Sequence, residues 1–444
     1  MLVIFTITYI FSVCLYYLRY NYIASLIMIS LAIFLYVKEV KNTKRIINVR
    51  GLFTLGFVGG FGISLLKLSK LSSEYNIITF VAVFLAYFGI YLGTFFANRN
   101  SETINYRSNF VIEKTNKKLL PQDILMIALF VVTFASFTIE VIKLKYIPLF
   151  TIATPHAYSE FHVFMLHYIT TFYSFIPCVA LCNYYIEPNR RMNKIWIVLS
   201  YIYVVIMALL MVSRSRLILS IVLSLFIIIK YKGSNIKNVI SNKKSMVKVI
   251  MLFVLFIILY IAITVARAHD IEYLNGIFEM KNEKTPIFIT QPYMYISQNF
   301  ENLNYMINNI FRFTFGRRVL YPLFTLTFVK KFFPIVLDAP TYIIKEELST
   351  VTIIYDFYYD FGLVGVLGFC FLIGYIGAKL ENKAYYVLGQ GINIKNNYLI
   401  ILFALYCYYM FFSFFQTYFS LTDTWVYIII LVLILTFVVM KRTE

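Results

Sequence analysis

Long apolar runs separated by short polar connections make up most of the chain. A helix needs roughly 17 to 25 mostly apolar residues to cross a bilayer. Runs of this length recur from end to end, so the pattern predicts an all-α polytopic membrane protein with about 12 transmembrane helices. The predicted spans are 2–18, 22–37, 51–67, 76–97, 122–142, 162–186, 195–212, 216–231, 249–267, 352–378, 397–417 and 424–440. We expect residues 1–444 to form a single membrane domain.

The positions of the basic residues predict the orientation. More than half of the 40 Lys and Arg residues lie in one alternate set of connections, namely 38–50, 98–121, 186–194, 230–248, 379–395 and the C-terminal tail. The other short connections hold only Arg19, Lys67, Lys70, Lys143, Lys145, Arg214 and Arg216. Basic connections stay on the cytoplasmic side, so both termini are predicted to be cytoplasmic. By parity, the segment 268–351 is then a large extracytoplasmic loop between spans nine and ten.

Composition also places most of the chain in an apolar environment. Residues of the AVILMFWYC set make up 61% of the sequence and charged residues 14%, and mean hydropathy is +0.77. A soluble domain could not bury so large an apolar fraction. The net charge of +19 does not indicate a nucleic-acid partner, because the basic residues lie in connections that orient the chain. The glycine-rich phosphate loop of ATP-driven proteins is absent from the sequence.

One predicted outer hairpin carries two arginines that packing in lipid does not require. Arg214 and Arg216 lie in the sequence Ser213-Arg214-Ser215-Arg216 between spans seven and eight. One interpretation is that their guanidinium groups reach up to lipid headgroups. The other is an anion clamp, because a planar guanidinium matches phosphate oxygens and keeps its charge.

The long outer segment combines cations with aromatic residues. It opens with Arg267-Ala268-His269-Asp270, and Arg317, Arg318 and Tyr321 lie in its aromatic middle part, residues 311–322. Such a sequence predicts helices that lie on the membrane surface or cap a cavity. Arg317 and Arg318 either contact headgroups or join Arg214, Arg216 and Arg267 around one anionic substrate.

Carboxylates and histidines offer further candidate chemistry. Asp356 and Asp360 are one turn apart near the outer end of span ten, where an unpaired carboxylate is costly and faces a cavity or a cation. An ion pair with an arginine and a role in substrate binding or catalysis are both open. His162 and His167 are five residues apart and do not share a helix face well. No histidine pair has the spacing of a metal site, so we expect no metal.

Four stretches follow one another in the order of one known family. They are Tyr146–Phe150 with Phe161–His167, Ser215-Arg216-Leu217, Tyr295-Ile296-Ser297 with Phe300–Leu303, and Thr350–Gly365, which contains Tyr359-Asp360-Phe361-Gly362. Through these short motifs the chain from residue 120 to 380 resembles the O-antigen or oligosaccharide repeat-unit polymerases of the Wzy type.

The resemblance implies a GT-C-like membrane glycosyltransferase in the bacterial cytoplasmic (inner) membrane. Such an enzyme transfers a growing glycan from polyprenyl pyrophosphate to the sugar of a new lipid-linked repeat unit outside that membrane. The implied chemistry is inverting and independent of metals, with no cofactor. The implied partners are polyprenyl-pyrophosphate-linked oligosaccharides and membrane lipids, with a chain-length regulator and a flippase as candidate protein partners.

This chemistry assigns roles to the singled-out residues. Because pyrophosphate is a good leaving group, the site must mainly supply positive charge and position the acceptor hydroxyl. We predict that Arg216, with Arg214, holds one pyrophosphate. The other predicted site residues are Arg267, Arg317 and Arg318 for the second pyrophosphate or the leaving group, His269 or Asp270 for the acceptor proton, and Asp356, Asp360 and Tyr321 for substrate binding.

Three alternatives remain open from the sequence. A flippase or transporter of lipid-linked oligosaccharides would suit twelve spans, but it should keep intramembrane charges and broken spans in both halves. A glycan ligase would use the same donor and a different acceptor. A purely structural membrane protein would use none of the arginines.

Overall fold

Helices account for most of the chain. The computed structural model describes residues 1–99, 121–151, 160–232, 271–329, 341–389 and 394–440, and no β-strand occurs in these ranges. The α-helices are α1 (Leu2–Tyr17), α2 (Asn21–Thr43), α3 (Val49–Phe53), α4 (Gly59–Ser64), α5 (Ile77–Asn98), α6 (Pro121–Leu144), α7 (Leu166–Thr171), α8 (Ile176–Ile186), α9 (Arg191–Leu210), α10 (Arg214–Lys232), α11 (Ile271–Phe278), α12 (Ile287–Asn309), α13 (Tyr321–Leu326), α14 (Tyr355–Gly389), α15 (Ile394–Phe411) and α16 (Thr422–Met440). The all-α prediction is confirmed for the described residues.

Each predicted span within the described residues overlaps one or two of these helices, with differences of several residues at some ends. Only the predicted span 249–267 lies outside the described residues. Within the described ranges, six helices are long and apolar enough to cross a membrane, and four further apolar helices are shorter. In two predicted spans a short turn joins two helices: a π-helical turn at Thr54–Val58 joins α3 to α4, and a 3-10 turn at Phe172–Phe175 joins α7 to α8. The chain is a helical membrane protein.

The described residues divide into two compact units. The first unit consists of residues within Met1–Thr103, Ile271–Lys383 and Tyr406–Trp425. The second consists of residues within Ile104–Asp270, Ala384–Leu405 and Val426–Glu444.

Glycines bring the backbones of the first unit close together. A Cβ atom at Gly93 of α5 would lie 2.1 Å from the Phe371 carbonyl oxygen of α14, and one at Gly374 would lie 2.6 Å from the Ile90 carbonyl oxygen. In the π-helical turn, a Cβ at Gly56 would lie 1.8 Å from the carbonyl oxygen of Phe411. Helices in lipid associate through such small-residue contacts, which larger side chains would prevent.

Helix α12 differs most from the predicted structure. The sequence predicts surface-lying or capping helices in segment 268–351, yet α12 is an interior helix of the first unit and buries a row of polar side chains. Burial of Asn302 and Asn304 in this row is tolerated because both of their amide groups have hydrogen-bond partners. Asn302 Nδ2 donates to the carbonyl oxygens of Leu348 and Thr350 at 2.7 and 2.8 Å, and Asn304 Oδ1 accepts from the Thr79 hydroxyl at 2.7 Å.

Helix α14 is interrupted at Gly362, which has φ +60° and ψ −147°. L-residues with a side chain rarely adopt this conformation, whereas glycine does so at no steric cost. The carbonyl oxygens of Tyr359 and Asp360, which a regular helix would use internally, instead accept hydrogen bonds from the backbone N–H groups of Thr314 and Phe315. The interruption therefore creates the docking position for the segment that carries Arg317 and Arg318.

We expect Gly362→Ala to lower the free energy of unfolding by about 1–3 kcal/mol, because alanine would be strained at this φ and its Cβ would lie 3.1 Å from the Phe313 ring. Gly368→Ala is the matched control in the same helix. A Cβ there would meet nothing within 4 Å, and alanine favours a helix by about 0.5–1 kcal/mol over glycine. Thermal unfolding of both variants in detergent compares them, and equal melting temperatures would contradict the requirement for glycine at position 362.

Five helices form most of the second unit's described part. Helices α8 and α9 pack along each other, α10 packs on α8, and α6 packs on α7. At one end, Asp123 of α6 pairs with Arg190 and accepts the Trp196 indole N–H at 2.8 Å. Glu140 lies toward the other end of α6, with Arg214 and Arg216 at the start of α10. These residues occupy the end that the orientation predicts to be outside.

Candidate functional site

Asp360 holds the turn that precedes Arg318 in the first unit. Its carboxylate is fully buried and accepts a hydrogen bond from the Thr314 hydroxyl. The backbone N–H groups of Arg318 and Val319 donate to its two oxygens at 3.3 and 2.8 Å. Both oxygens are therefore used inside the protein. Asp360 thus has a structural role in this turn, and its predicted contact with substrate stays a prediction.

Arg318 is directed at α14 rather than at solvent. Its guanidinium group pairs with Asp356 at 3.2 Å, with 14% and 10% of the two side chains exposed. It also lies over the Tyr359 ring, 4.0 Å from the ring centre. Of the two interpretations left open for Asp356, the ion pair is the one observed. Because Asp356 neutralises Arg318, an anionic ligand would have to compete with this carboxylate.

Arg317 and Tyr321 differ from Arg318 in their surroundings. Arg317 is exposed, and Tyr321 is partly buried at the first position of α13. Phe311 and Phe315 are 95% and 73% exposed beside them. The pair Arg317-Arg318 is thus divided, with one guanidinium group in a buried ion pair and the other at an aromatic surface.

The two candidate arginines of the second unit, Arg214 and Arg216, lie in the first turn of α10. Arg214 is 7% exposed and begins the helix, so both arginines belong to the helix rather than to the predicted hairpin. The Arg216 guanidinium group lies over the Tyr427 ring, 5.3 Å from its centre. The Tyr427 hydroxyl is 2.7 Å from the Thr171 hydroxyl. Two cations thus adjoin the N-terminal end of a 19-residue helix, whose backbone dipole also favours anions.

A carboxylate and a histidine form a second polar group in the same unit. Glu140 Oε1 is 3.2 Å from His167 Nδ1 and accepts the Val163 backbone N–H at 3.2 Å. The His162 ring lies 5.3 Å from the His167 ring. The helical spacing argument separates these two histidines, but residues 161–165 are not helical, and the rings meet. Among the described residues, no group of three His, Cys, Asp or Glu side chains is placed to hold a metal ion.

A buried ion pair joins two segments of the first unit. Lys67 Nζ is 2.5 Å from Glu301 Oε1, and the two side chains are only 6% and 3% exposed. Lys67 Nζ also lies 3.0 Å from the centre of the Tyr75 ring. Burial lowers the pKa of Lys67 to about 8, although the attraction of Glu301 acts in the opposite direction. Lys67 is therefore charged at neutral pH, and the ion pair fixes the connection 65–76 to α12.

Three predicted site residues, Arg267, His269 and Asp270, lie outside the described residues. Arg214 and Arg216 belong to the second unit, whereas Arg317, Arg318, Tyr321, Asp356 and Asp360 belong to the first. A pocket shared by all these arginines stays a prediction. Sequence reasoning missed the Glu140–His167 pair, although a carboxylate inside an otherwise apolar predicted span was a signal available for finding it.

Comparison with known proteins gives no family for the chain. No family model, no curated protein and no solved structure matches it.

Proposed function

We propose that this chain is a membrane glycosyltransferase that joins polyprenyl-pyrophosphate-linked oligosaccharide repeat units into a surface polysaccharide. It works at the outer face of the bacterial cytoplasmic membrane, without a metal ion. The proposal rests on the membrane helices, on the arginine cluster of the second unit (Arg214 and Arg216) and on the motif resemblance to repeat-unit polymerases.

The proposed topology has 12 spans, cytoplasmic termini and an extracytoplasmic segment 268–351. Contacts in the first unit support it, because connections assigned to one side contact each other. On the proposed outer side, the backbone N–H of Lys70 donates to the Glu279 carbonyl oxygen at 2.8 Å. On the proposed inner side, Arg45 pairs with Glu381 at 2.9 Å.

The arrangement of Arg216 carries the proposal. Arg216 lies beside Arg214 at the start of α10, on the proposed outer side. Its guanidinium group lies over the Tyr427 ring. A membrane helix that only had to span would avoid two cations at the positive end of its backbone dipole, where they are unfavourable. A pyrophosphate group bound at this end would be stabilised by the helix dipole and by both guanidinium groups.

The chemistry of the donor fits this cluster. The bond from the anomeric carbon to pyrophosphate breaks as the acceptor oxygen attacks, so negative charge grows on the leaving oxygen. Guanidinium groups held in place before the reaction stabilise that charge without reorganisation. Arg216 and Arg214 supply such guanidinium groups in the second unit, and Arg317, which is exposed in segment 268–351, is a candidate for binding the second lipid-linked substrate.

The purified protein should convert lipid-linked repeat units into a ladder of products on a gel, because each product is again a donor. A single shifted band would indicate a ligase instead. A transporter would leave the substrate unchanged in detergent and would move it across the bilayer in proteoliposomes. That pair of results would contradict the proposal.

The transporter remains the second candidate because of a specific observation. Both units have irregular spans, at Thr54–Val58 and Gly362 in the first and at Phe172–Phe175 in the second. Buried charges also occur in both units, such as Asp356 and Glu140. Interrupted helices and intramembrane charges are features of transporters.

A further inference from the structure

Glu140 is a buried carboxylate, and one of its two oxygens has no hydrogen-bond partner among the described residues. The residue is fully buried although it lies on a helix apolar enough to span a membrane. Its Oε1 atom contacts His167 Nδ1 and the Val163 N–H, both at 3.2 Å. Its Oε2 atom is also buried and makes no hydrogen bond to any described residue. A carboxylate kept at such a position needs a compensating cation or a function.

The backbone conformation before His167 places its side chain beside Glu140. Residues 161–165 leave the helical conformation, and Met165, just before α7, has φ +65°. A non-glycine residue in this region is strained, and such strain persists where the surrounding structure enforces it. His167 then enters α7 with its Nδ1 atom on Glu140, so that the opposite ring nitrogen, Nε2, is directed away from the carboxylate. The His167 side chain remains 20% exposed.

This pair is linked to the arginine cluster of the same unit. The Thr171 hydroxyl donates to the His167 carbonyl oxygen at 2.8 Å and is 2.7 Å from the Tyr427 hydroxyl. Tyr427 in turn lies against Arg216. The histidine and the proposed pyrophosphate-binding guanidinium group are thus positioned by one set of contacts.

We infer that His167 is the general base that takes the proton from the acceptor sugar hydroxyl, and that Glu140 is the residue that positions it. The inference rests on the proposed function. The proton passes from the acceptor hydroxyl to His167 Nε2 as the acceptor oxygen bonds to the anomeric carbon of the donor. The bond from that carbon to pyrophosphate breaks, and the polyprenyl pyrophosphate leaves with the electron pair. His167 then releases the proton to solvent, and Glu140 stabilises the transient imidazolium.

The other ionisable groups around His167 are consistent with this assignment. Glu140 faces it from α6, and His162 faces it from the preceding turn. Burial, and then the charge on His167, lower the pKa of His162. Of these two histidines, it is His167 whose ring nitrogen contacts the Glu140 carboxylate.

His167→Gln tests the base in the purified full-length protein with lipid-linked repeat units. We expect kcat to fall roughly 10²- to 10⁴-fold, as for loss of a general base, with little change in KM. His162→Gln is the matched control, and its rate should stay within a few-fold of the parent. If the parent forms a ladder and His167→Gln forms it equally fast, the base assignment is overturned while the polymerase proposal stands. If the parent forms no ladder, the polymerase proposal itself fails.

Glu140→Gln keeps the shape of the side chain and tests the positioning role separately. Without its anionic partner the imidazolium gives up its proton more readily, so the acidic limb of the pH–rate profile should move to lower pH and the maximal rate should fall. An acidic limb at the parent's position would overturn the role of Glu140, and this result can be read even if His167→Gln does not fold.

Discussion

Replacing Arg216 by lysine is expected to stop polymer growth in a protein that still folds. Lysine keeps the positive charge but loses the planar fork that can bind two phosphate oxygens at once. Loss of one such preorganised donor raises a barrier by about 3 kcal/mol, which is roughly a 100-fold slower reaction. Lysine also loses the stacking of the guanidinium group on the Tyr427 ring, whose centre lies 5.3 Å away. Each round of elongation repeats the loss, so long products should disappear first.

The measurement is the product ladder in vitro and the surface glycan in cells, where single repeat units should still reach the surface. Arg19→Lys is the matched control, because Arg19 also lies in a proposed outer connection. Its side chain is 78% exposed and pairs with an equally exposed Glu74, so its replacement should leave the ladder unchanged within about twofold, as surface ion pairs contribute little. A parental polymer length in Arg216→Lys would remove this arginine from the mechanism.

The apolar pattern predicted the helices well because a bilayer leaves the chain few choices. A span must satisfy its own backbone hydrogen bonds, so a long apolar run becomes a helix almost regardless of its neighbours. This is why the predicted span 76–97 corresponds to α5 within one residue at each end. The interruption at Gly362 was not predicted, because Gly362, Gly365 and Gly368 recur every three residues in the sequence and only Gly362 has a positive φ.

The polar contacts were much harder to predict from sequence. Arg318 and Asp356 are 38 residues apart, and nothing local in the sequence pairs them. The segment that contains α12 was predicted to form surface-lying or capping helices. Asn302 of α12 is instead buried, because the carbonyl oxygens of Leu348 and Thr350, which are distant in sequence, accept its amide N–H groups. The argument that His162 and His167 do not share a helix face assumed a helix, but residues 161–165 are not helical.

Glu301 illustrates how a family-like motif can serve the scaffold. It lies in the stretch Phe300–Leu303, part of the resemblance to repeat-unit polymerases, and its Oε1 atom holds the buried Lys67 ammonium group at 2.5 Å. Its Oε2 atom accepts the Ser73 backbone N–H at 3.1 Å. One carboxylate therefore fixes both ends of the connection 65–76. Its loss should affect folding before it affects any chemistry.

Glu301→Gln should lower the free energy of unfolding by about 3–5 kcal/mol, because it leaves the Lys67 ammonium group buried without its anion. Glu283→Gln is the matched control. Lys70 and Glu283 also join the connection 65–76 to the segment before α12, at 3.1 Å, but their side chains are 55% and 82% exposed, and such pairs contribute about 1 kcal/mol or less. Unfolding in mixed micelles gives both values.

The pH dependence of the Glu301→Gln defect identifies its cause. Burial holds the pKa of Lys67 at about 8 in the parent protein, below the value of the unfolded chain, and removal of Glu301 lowers it further. The folded variant then binds fewer protons than the unfolded chain, so its stability rises with pH until the unfolded lysine also loses its proton. The difference from the parent should therefore shrink as the pH rises towards 8, and it should be smallest above pH 8, where Lys67 is neutral in both folded proteins. A difference that stays constant from pH 6 to 10 would mean that lost packing, rather than an unpaired buried charge, destabilises the variant.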